Sequence, residues 1–203
     1  MTVPCPYFNH LNSRLTELTD KFLRDQLTNE TQDPLSFQPD LDRLAAYRLL
    51  IHAEIEEFLE LKAKENITKI ESCIRAGQPW MKHHPELLSL AVELQRELPI
   101  KKTEHVTSKL VSDYITGMLA SAKKEIKDNN GIKSQSFSFL SICAGKTADE
   151  IDNVLSNSLN SYGKSRGDVA HTSAARSSNI NAPSAEHKSA NDLINGLKLF
   201  FGV

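Results

Sequence analysis

The stretch RGDVAH, residues 166–171, gathers three groups able to act on a phosphate. Arg166 is a permanent cation whose planar donors can grip a phosphate and stabilise charge developing on it. His171 has the side chain whose ordinary pKa lies nearest neutrality, so it can give or take a proton. Together they meet the needs of RNA cleavage without a metal. One group moves the proton of the 2′-hydroxyl or of the leaving 5′-oxygen, and the other stabilises the phosphorane. Asp168 and Lys164 are near enough in sequence to tune the pair.

Geometry restricts how such a pair can work. Residues five apart on a straight α-helix differ by about 140° in direction and about 7.5 Å in rise. Arg166 and His171 on one helix therefore do not converge on a phosphate. Either the segment is irregular there, or a second copy of the motif completes the site across a dimer. Arginine and histidine at this spacing also occur as a surface cation and a helix-end polar group. The pair takes its meaning from the elements that must hold it.

Those elements read as helices. The first is expected from about Leu11 to Leu27, with Leu11, Leu15, Leu18, Phe22 and Leu23 at helical spacing. TNETQDPLSFQPD, rich in turn formers, reads as a loop, after which Asp40 offers a cap. A long helix follows from about Leu41 to Ala76, its apolar face supplied by Leu41, Leu44, Leu49, Ile51, Ile55, Phe58 and Leu59, with Gly77 and Pro79 ending it. Further helices are expected from Pro85 to Leu98 and from Thr103 to Lys127. FSFLSI, residues 137–142, suits a strand or one helical turn equally. Thr147, Asp149 and Glu150 resemble the capped start of a helix through Leu159, and a last helix spans Ser184 to Phe200. The Ser/Asn/Gly/Ala segment between them reads as a permissive loop carrying the motif. Alternating β pattern is scarce, so the expected class is all-α. The expected architecture is one domain over residues 1–203: an N-terminal helix and loop (1–40), then a bundle core (41–203) of long antiparallel helices and short C-terminal ones.

In that context GIKSQSFSFL, a helix, and then NSYGKSRGDVAHTSA resemble the C-terminal half of the HEPN superfamily (higher eukaryotes and prokaryotes nucleotide-binding), in the branch called RiboL-PSP. The superfamily motif is an arginine, four to six residues, then a histidine. In this branch it often reads like RGDVAHTS or RNxIAH, which sets Arg166 and His171 on the two defining positions. Upstream, YRLLIHAEIEEFLELKA at 47–63 is similar to the branch's early helix. The likeness runs from about Leu41 onward and is most specific at 162–173. It implies an α-helical bundle, a homodimer pairing two motifs, and a metal-independent endoribonuclease of a toxin–antitoxin, phage-defence or RNA-processing system. A cognate antitoxin or regulatory protein would then be a partner. The alternative it allows is a non-catalytic HEPN module that binds RNA, nucleotide or a partner protein. Many catalytic members carry Asn, Asp or His directly after the arginine. Here Gly167 holds that place and Asp168 follows, so the group orienting the pair is either Asp168 or Glu56.

Glu56 enters because Arg48, His52 and Glu56 lie at i, i+4 and i+8, one polar stripe on the long helix. The stripe is either a support for the motif, or a salt-bridge ladder or buried cluster satisfied within the bundle. Glu57, about 100° away, is the less favoured support. His83 and His84, beside Trp80 and Pro85, read as a turn with exposed histidines, and His10, His105 and His187 complete no metal-ligand spacing with them. No metal or cofactor is expected. Lys101, Lys102, Lys123, Lys124 and Lys127 could meet an RNA backbone or simply face solvent. Around the motif, Lys164, Arg166, Arg176 and Lys188 outnumber Asp168 and Glu186, a mild attraction for a polyanion.

Composition sets the outer limits. With 39% hydrophobic and 25% charged residues the chain is of ordinary globular make-up, and a net charge of −2 gives no global pull on nucleic acid. Cys5, Cys73 and Cys143 are far apart, and no secretory leader or membrane span is read, so free thiols and a cytoplasmic location are expected.

Overall fold

The computed structural model describes residues 5–77, 83–97, 105–171 and 181–203, with residue 84 and residues 166–171 given by their backbone alone. Among the described residues it is α-helical without a β-strand. The elements are α1 (Pro6–Phe22), α2 (Arg24–Gln32), α3 (Leu41–Arg75), α4 (His84–Glu93), α5 (Ser108–Lys127), α6 (Ser134–Cys143), a 3-10 turn (Ala148–Glu150), α7 (Asn153–His171) and α8 (Pro183–Phe201). Among these residues no helix is long and apolar enough to cross a membrane. The cysteines are free thiols.

Backbone contacts divide the chain into two compact units, one of residues 1–58, 131–134 and 152–203, the other of residues 59–130 and 135–151. In the first unit α8 packs against α1, α2 and α7. Leu11, Leu18, Leu44, Ile51, Ile55, Ile194 and Leu197 fill its core, and Phe58 meets Phe8 and Phe201 edge-on at 5.9 and 5.6 Å. In the second unit α4 packs against α5. There Asn66 donates to the Cys143 carbonyl at 3.0 Å, and Lys123 pairs with Glu71 at 2.5 Å.

The helix expected over 85–98 ends at Glu93, the one expected from Thr103 begins at Ser108, and the Thr147–Glu150 cap opens a 3-10 turn instead of the next helix. Three further differences each have a physical reason. The first helix begins earlier, at Pro6, where a proline at the first helical position costs no hydrogen bond. It also breaks at the buried Leu23, so that TNETQ, expected as loop, lies in α2. The buried Gln26 ties that helix down: its amide donates to the Phe22 carbonyl at 3.0 Å and accepts from the Asp40 N–H at 2.8 Å. FSFLSI is helical in α6, with Phe137, Phe139, Leu140, Ser141, Ile142 and Cys143 all buried, which leaves no polar face to betray a helical period.

The third difference bears on the motif. The helix expected to stop at Leu159 runs on to His171, so α7 and α8 are each 19 residues long rather than short. Leu155, Leu159 and Tyr162 form a buried stripe at i, i+4 and i+7 that continues the helix through the Ser/Asn-rich stretch. Ser158, Ser161 and Ser165 donate to the carbonyls four residues back, at 2.9, 2.9 and 3.1 Å, so their hydroxyls stop competing for the backbone.

Candidate functional site

The phase of α7 is set at its start. Asp152 Oδ1 accepts from the Val154 and Leu155 N–H groups at 2.8 and 3.0 Å, the bonds of an N-cap. From there the register runs Leu155, Leu159, Tyr162, Arg166, at i, i+4, i+7 and i+11, so Arg166 follows in the line of the buried stripe. His171 comes nine residues after Tyr162, about 180° round the helix, and seven after the exposed Lys164. The side chains of Arg166, Asp168 and His171 lie outside the described residues. Their backbone is α-helical, which sets Arg166 and His171 about 140° apart on one helix.

Beneath this end of α7 lies the polar stripe of α3. Arg48 and Glu186 are 2% and 1% exposed, so their pairing is an interior one. Arg48 Nε donates to Glu186 Oε2 at 3.1 Å, Nη2 donates to Oε1, and Nη1 reaches the Ser165 carbonyl at 3.4 Å. Glu186 sits in the first turn of α8, where a carboxylate complements the helix dipole, and also accepts from the Asn181 N–H at 3.1 Å. One turn along α3, the buried His52 accepts through Nε2 from the Ile132 N–H at 3.4 Å. That bond puts the imidazole proton on Nδ1, which lies 3.8 Å from Glu56 Oε2. Glu56 in turn accepts from the Gly131 N–H.

Gly163 lets α7 come this close. A Cβ there would stand 2.5 Å from the Ile132 carbonyl oxygen and 3.2 Å from His52 Nε2. The stripe is thus engaged in docking α7 and the 131–132 turn, and the described contacts of Glu56 go to Gly131 and His52. Two phenols complete the layer. Burial pushes Tyr47 up to about 12, partly offset by a bond to Thr19, and burial pushes Tyr162 well above the ordinary tyrosine value, with Glu186 nearby adding to it. The Tyr162 hydroxyl is buried without a hydrogen-bond partner among the described residues.

Between α7 and α8 lies a cavity of about 440 Å³, walled by Leu155, Ser158, Tyr162 and Ser165 on one side and Glu186, Asp192 and Leu193 on the other. Sequence reading did not single out Glu186 as a partner of Arg48, nor Tyr162 or Gly163. The pattern Pro183-Ser-Ala-Glu186 marks a helix start with an acid in its first turn, but nothing in it names an arginine 138 residues away.

The remaining candidates are settled more simply. His83 pairs with Glu86 at 3.1 Å in the turn before α4. Lys123 is paired with Glu71, and Lys188 with Asp192. Glu57 lies in a set with His10 and Glu54 whose ligand atoms are all within 4.8 Å, but Arg14 Nε already sits 2.8 Å from Glu54, where a cation opposes a metal. Trp80, Lys101, Lys102 and Arg176, and the side chain of His84, lie outside the described residues. Compared with protein-family models, with curated proteins and with solved structures, the chain returns no match, so its site is read from its own residues.

Proposed function

We propose that the chain is a HEPN-type domain whose RGDVAH segment is half of a metal-independent RNA-cleaving site, completed by a second copy. The observation that carries the reading is the α-helical backbone of 166–171, with Arg166 in the line of Tyr162 and His171 half a turn away. One straight helix separates the two groups, whereas two helices facing each other across a two-fold axis bring the arginine of one near the histidine of the other. His171 acts as general acid/base and Arg166 holds the phosphate, with Asp168 and Lys164 in support, whereas Glu56, expected as a support, is engaged by the Gly131 N–H and His52. The 2′-oxygen attacks phosphorus as its proton leaves, the bond to the 5′-oxygen breaks, and that oxygen takes up a proton. The products are a 2′,3′-cyclic phosphate and a 5′-hydroxyl.

The test is cleavage of cellular RNA in EDTA by the wild type, Arg166→Ala and His171→Ala, with the oligomeric state measured alongside. Metal-free cutting that both substitutions abolish is expected. Activity that disappears with chelator, or survives both changes, overturns the mechanism. A monomer of 22.7 kDa at micromolar concentration overturns the shared cleft. Should the wild type bind RNA without cutting it, the chain is a HEPN binding module instead. Growth arrest on expression, relieved by His171→Ala, would mark a toxin and direct the search to a cognate antitoxin.

A further inference from the structure

The turn at 131–132 is fastened to α3 by two side chains that both titrate. The Gly131 N–H donates to Glu56, and the next N–H, that of Ile132, donates to His52 Nε2 at 3.4 Å. His52 is 1% exposed, so this buried amide is satisfied by the lone pair of an imidazole. The same turn is the seat of α7. A Cβ on Gly163 would stand 2.5 Å from the Ile132 carbonyl oxygen and 3.2 Å from His52 Nε2. Arg166 follows Gly163 by three residues, almost one helical turn. One ring nitrogen thus meets both the turn and the helix that carries RGDVAH.

That lone pair exists only in the neutral ring. An imidazolium has an N–H on both nitrogens, so a protonated His52 sets its Nε2–H against the Ile132 N–H and leaves that amide without its acceptor. The new charge is drawn the other way, toward Glu56 Oε2, 3.8 Å from Nδ1. The two nitrogens of an imidazole point away from each other. Closing the Glu56 gap to a charge-assisted bond of about 2.8 Å therefore pulls Nε2 back from Ile132. The other ionisable groups around the ring give no competing answer. Arg48, one turn earlier on α3, is matched by Glu186 of α8. Tyr162, beside Gly163 on α7, keeps its proton well above the ordinary tyrosine value. Lys133 after the turn and Lys164 after Gly163 are exposed.

We propose that His52 is a proton-operated latch on the motif helix. Neutral, it holds the turn on which α7 seats. Protonated, it exchanges the Ile132 N–H for Glu56, and RGDVAH loses its fixed bearing. His52 is a positioning residue, acting through Ile132 and Gly163, and acid disables the site from a place other than His171. The effect on cleavage rests on the ribonuclease reading, whereas the latch itself does not.

The experiment follows amide hydrogen exchange of the full chain, as protection relative to the free-peptide rate. It runs from about pH 8 to about pH 5, either side of the ordinary histidine value of about 6.5. His52→Gln accompanies the wild type, because a glutamine oxygen can accept from Ile132 at every pH. In the wild type, protection of Ile132 and of residues 159–165 is expected to fall about ten-fold or more as the pH drops. Leu15 and Leu18 of α1 should hold theirs, and in His52→Gln both regions should hold. An equal fall in the two proteins, or no fall in the wild type, overturns the latch. Should His52→Gln fail to fold, nitrogen NMR of the wild-type ring decides. A proton on Nδ1 at about pH 8 is expected, with the ring titrating together with the loss of Ile132 protection. The opposite tautomer, or a ring that titrates without that loss, would sink the proposal. RNA cleavage over the same range separates the two readings. Its acid limb should be steeper in the wild type than in His52→Gln, and identical limbs remove the latch from control of the motif. No cutting at any pH overturns the ribonuclease reading and leaves the latch standing.

Discussion

Two arginine–histidine pairs lie in the same helical unit and differ by one residue in spacing. Arg48 and His52 are four apart on α3, and Arg166 and His171 are five apart on α7. Four residues bring two side chains to within about 40° of each other, so the α3 pair stacks on one face. That face is buried, and both groups are engaged there, Arg48 by Glu186 and His52 by the Ile132 N–H. Five residues open the angle to about 140°, so no single packed face can take both members. The difference teaches what each pair is available for: a stacked pair can be consumed by the fold, whereas a split pair always leaves one member facing elsewhere.

The comparison breaks first at activity. His171→Ala should cost RNA cleavage about 10²–10⁴-fold, while chemical denaturation shows stability within about 0.5 kcal/mol of wild type. Equal losses of activity and stability would make the two pairs alike. The converse holds at α3. Glu186→Ala strands a buried guanidinium and should destabilise by about 3–5 kcal/mol, read as a lower denaturation midpoint. Replacing Arg48 and Glu186 together with Met and Leu should recover much of that loss, because the pair's own net worth is small beside the cost of orphaning one charge.

Gly163→Ala sharpens the comparison at the point where α3 and α7 touch. Its Cβ would press on the Ile132 carbonyl, for a loss of about 1–3 kcal/mol, measurable by urea unfolding.

The smallest effects belong to the phenols of the same layer. Tyr47, held up to about 12, and Tyr162, held higher than usual, keep their protons longer folded than unfolded. Their contribution to stability is therefore complete below about pH 10 and is lost as pH rises from there through the folded values. Tyrosinate absorbance from these two should appear together with loss of helical circular dichroism, not before it. Tyr162→Phe removes a buried hydroxyl without a described partner and should be neutral or stabilising by up to about 1 kcal/mol.

The all-α class was legible because helical periods are plain in α3 and α5, and the Asp40 cap is real: its Oδ1 accepts from the Arg43 N–H at 3.1 Å. α6 hid its type because burial on every side erases periodicity. The extent of α7 hid for a different reason. Ser, Asn and Gly carry weak helix preference in themselves, and the burial of Leu159 and Tyr162 together with the close approach of Gly163 to His52 and the Ile132 carbonyl decides in favour of the helix. In the site, residue types on α7 could be read from the chain. The bonds that spend Arg48, His52 and Glu56 could not, since each depends on a partner more than seventy residues away.

The capped start of α7 at Asp152 and the motif at its far end are separated by a fixed count of residues, and that count is an angle. Inserting or deleting one residue between Asn153 and Ser165 would turn RGDVAH by about 100° against the stripe of Leu155, Leu159 and Tyr162. Point substitutions on the exposed side of this helix are compatible with keeping the motif, but a length change is not. Among related chains, gaps should therefore collect in the neighbouring loops and leave the fourteen-residue interval from Asp152 to Arg166 intact.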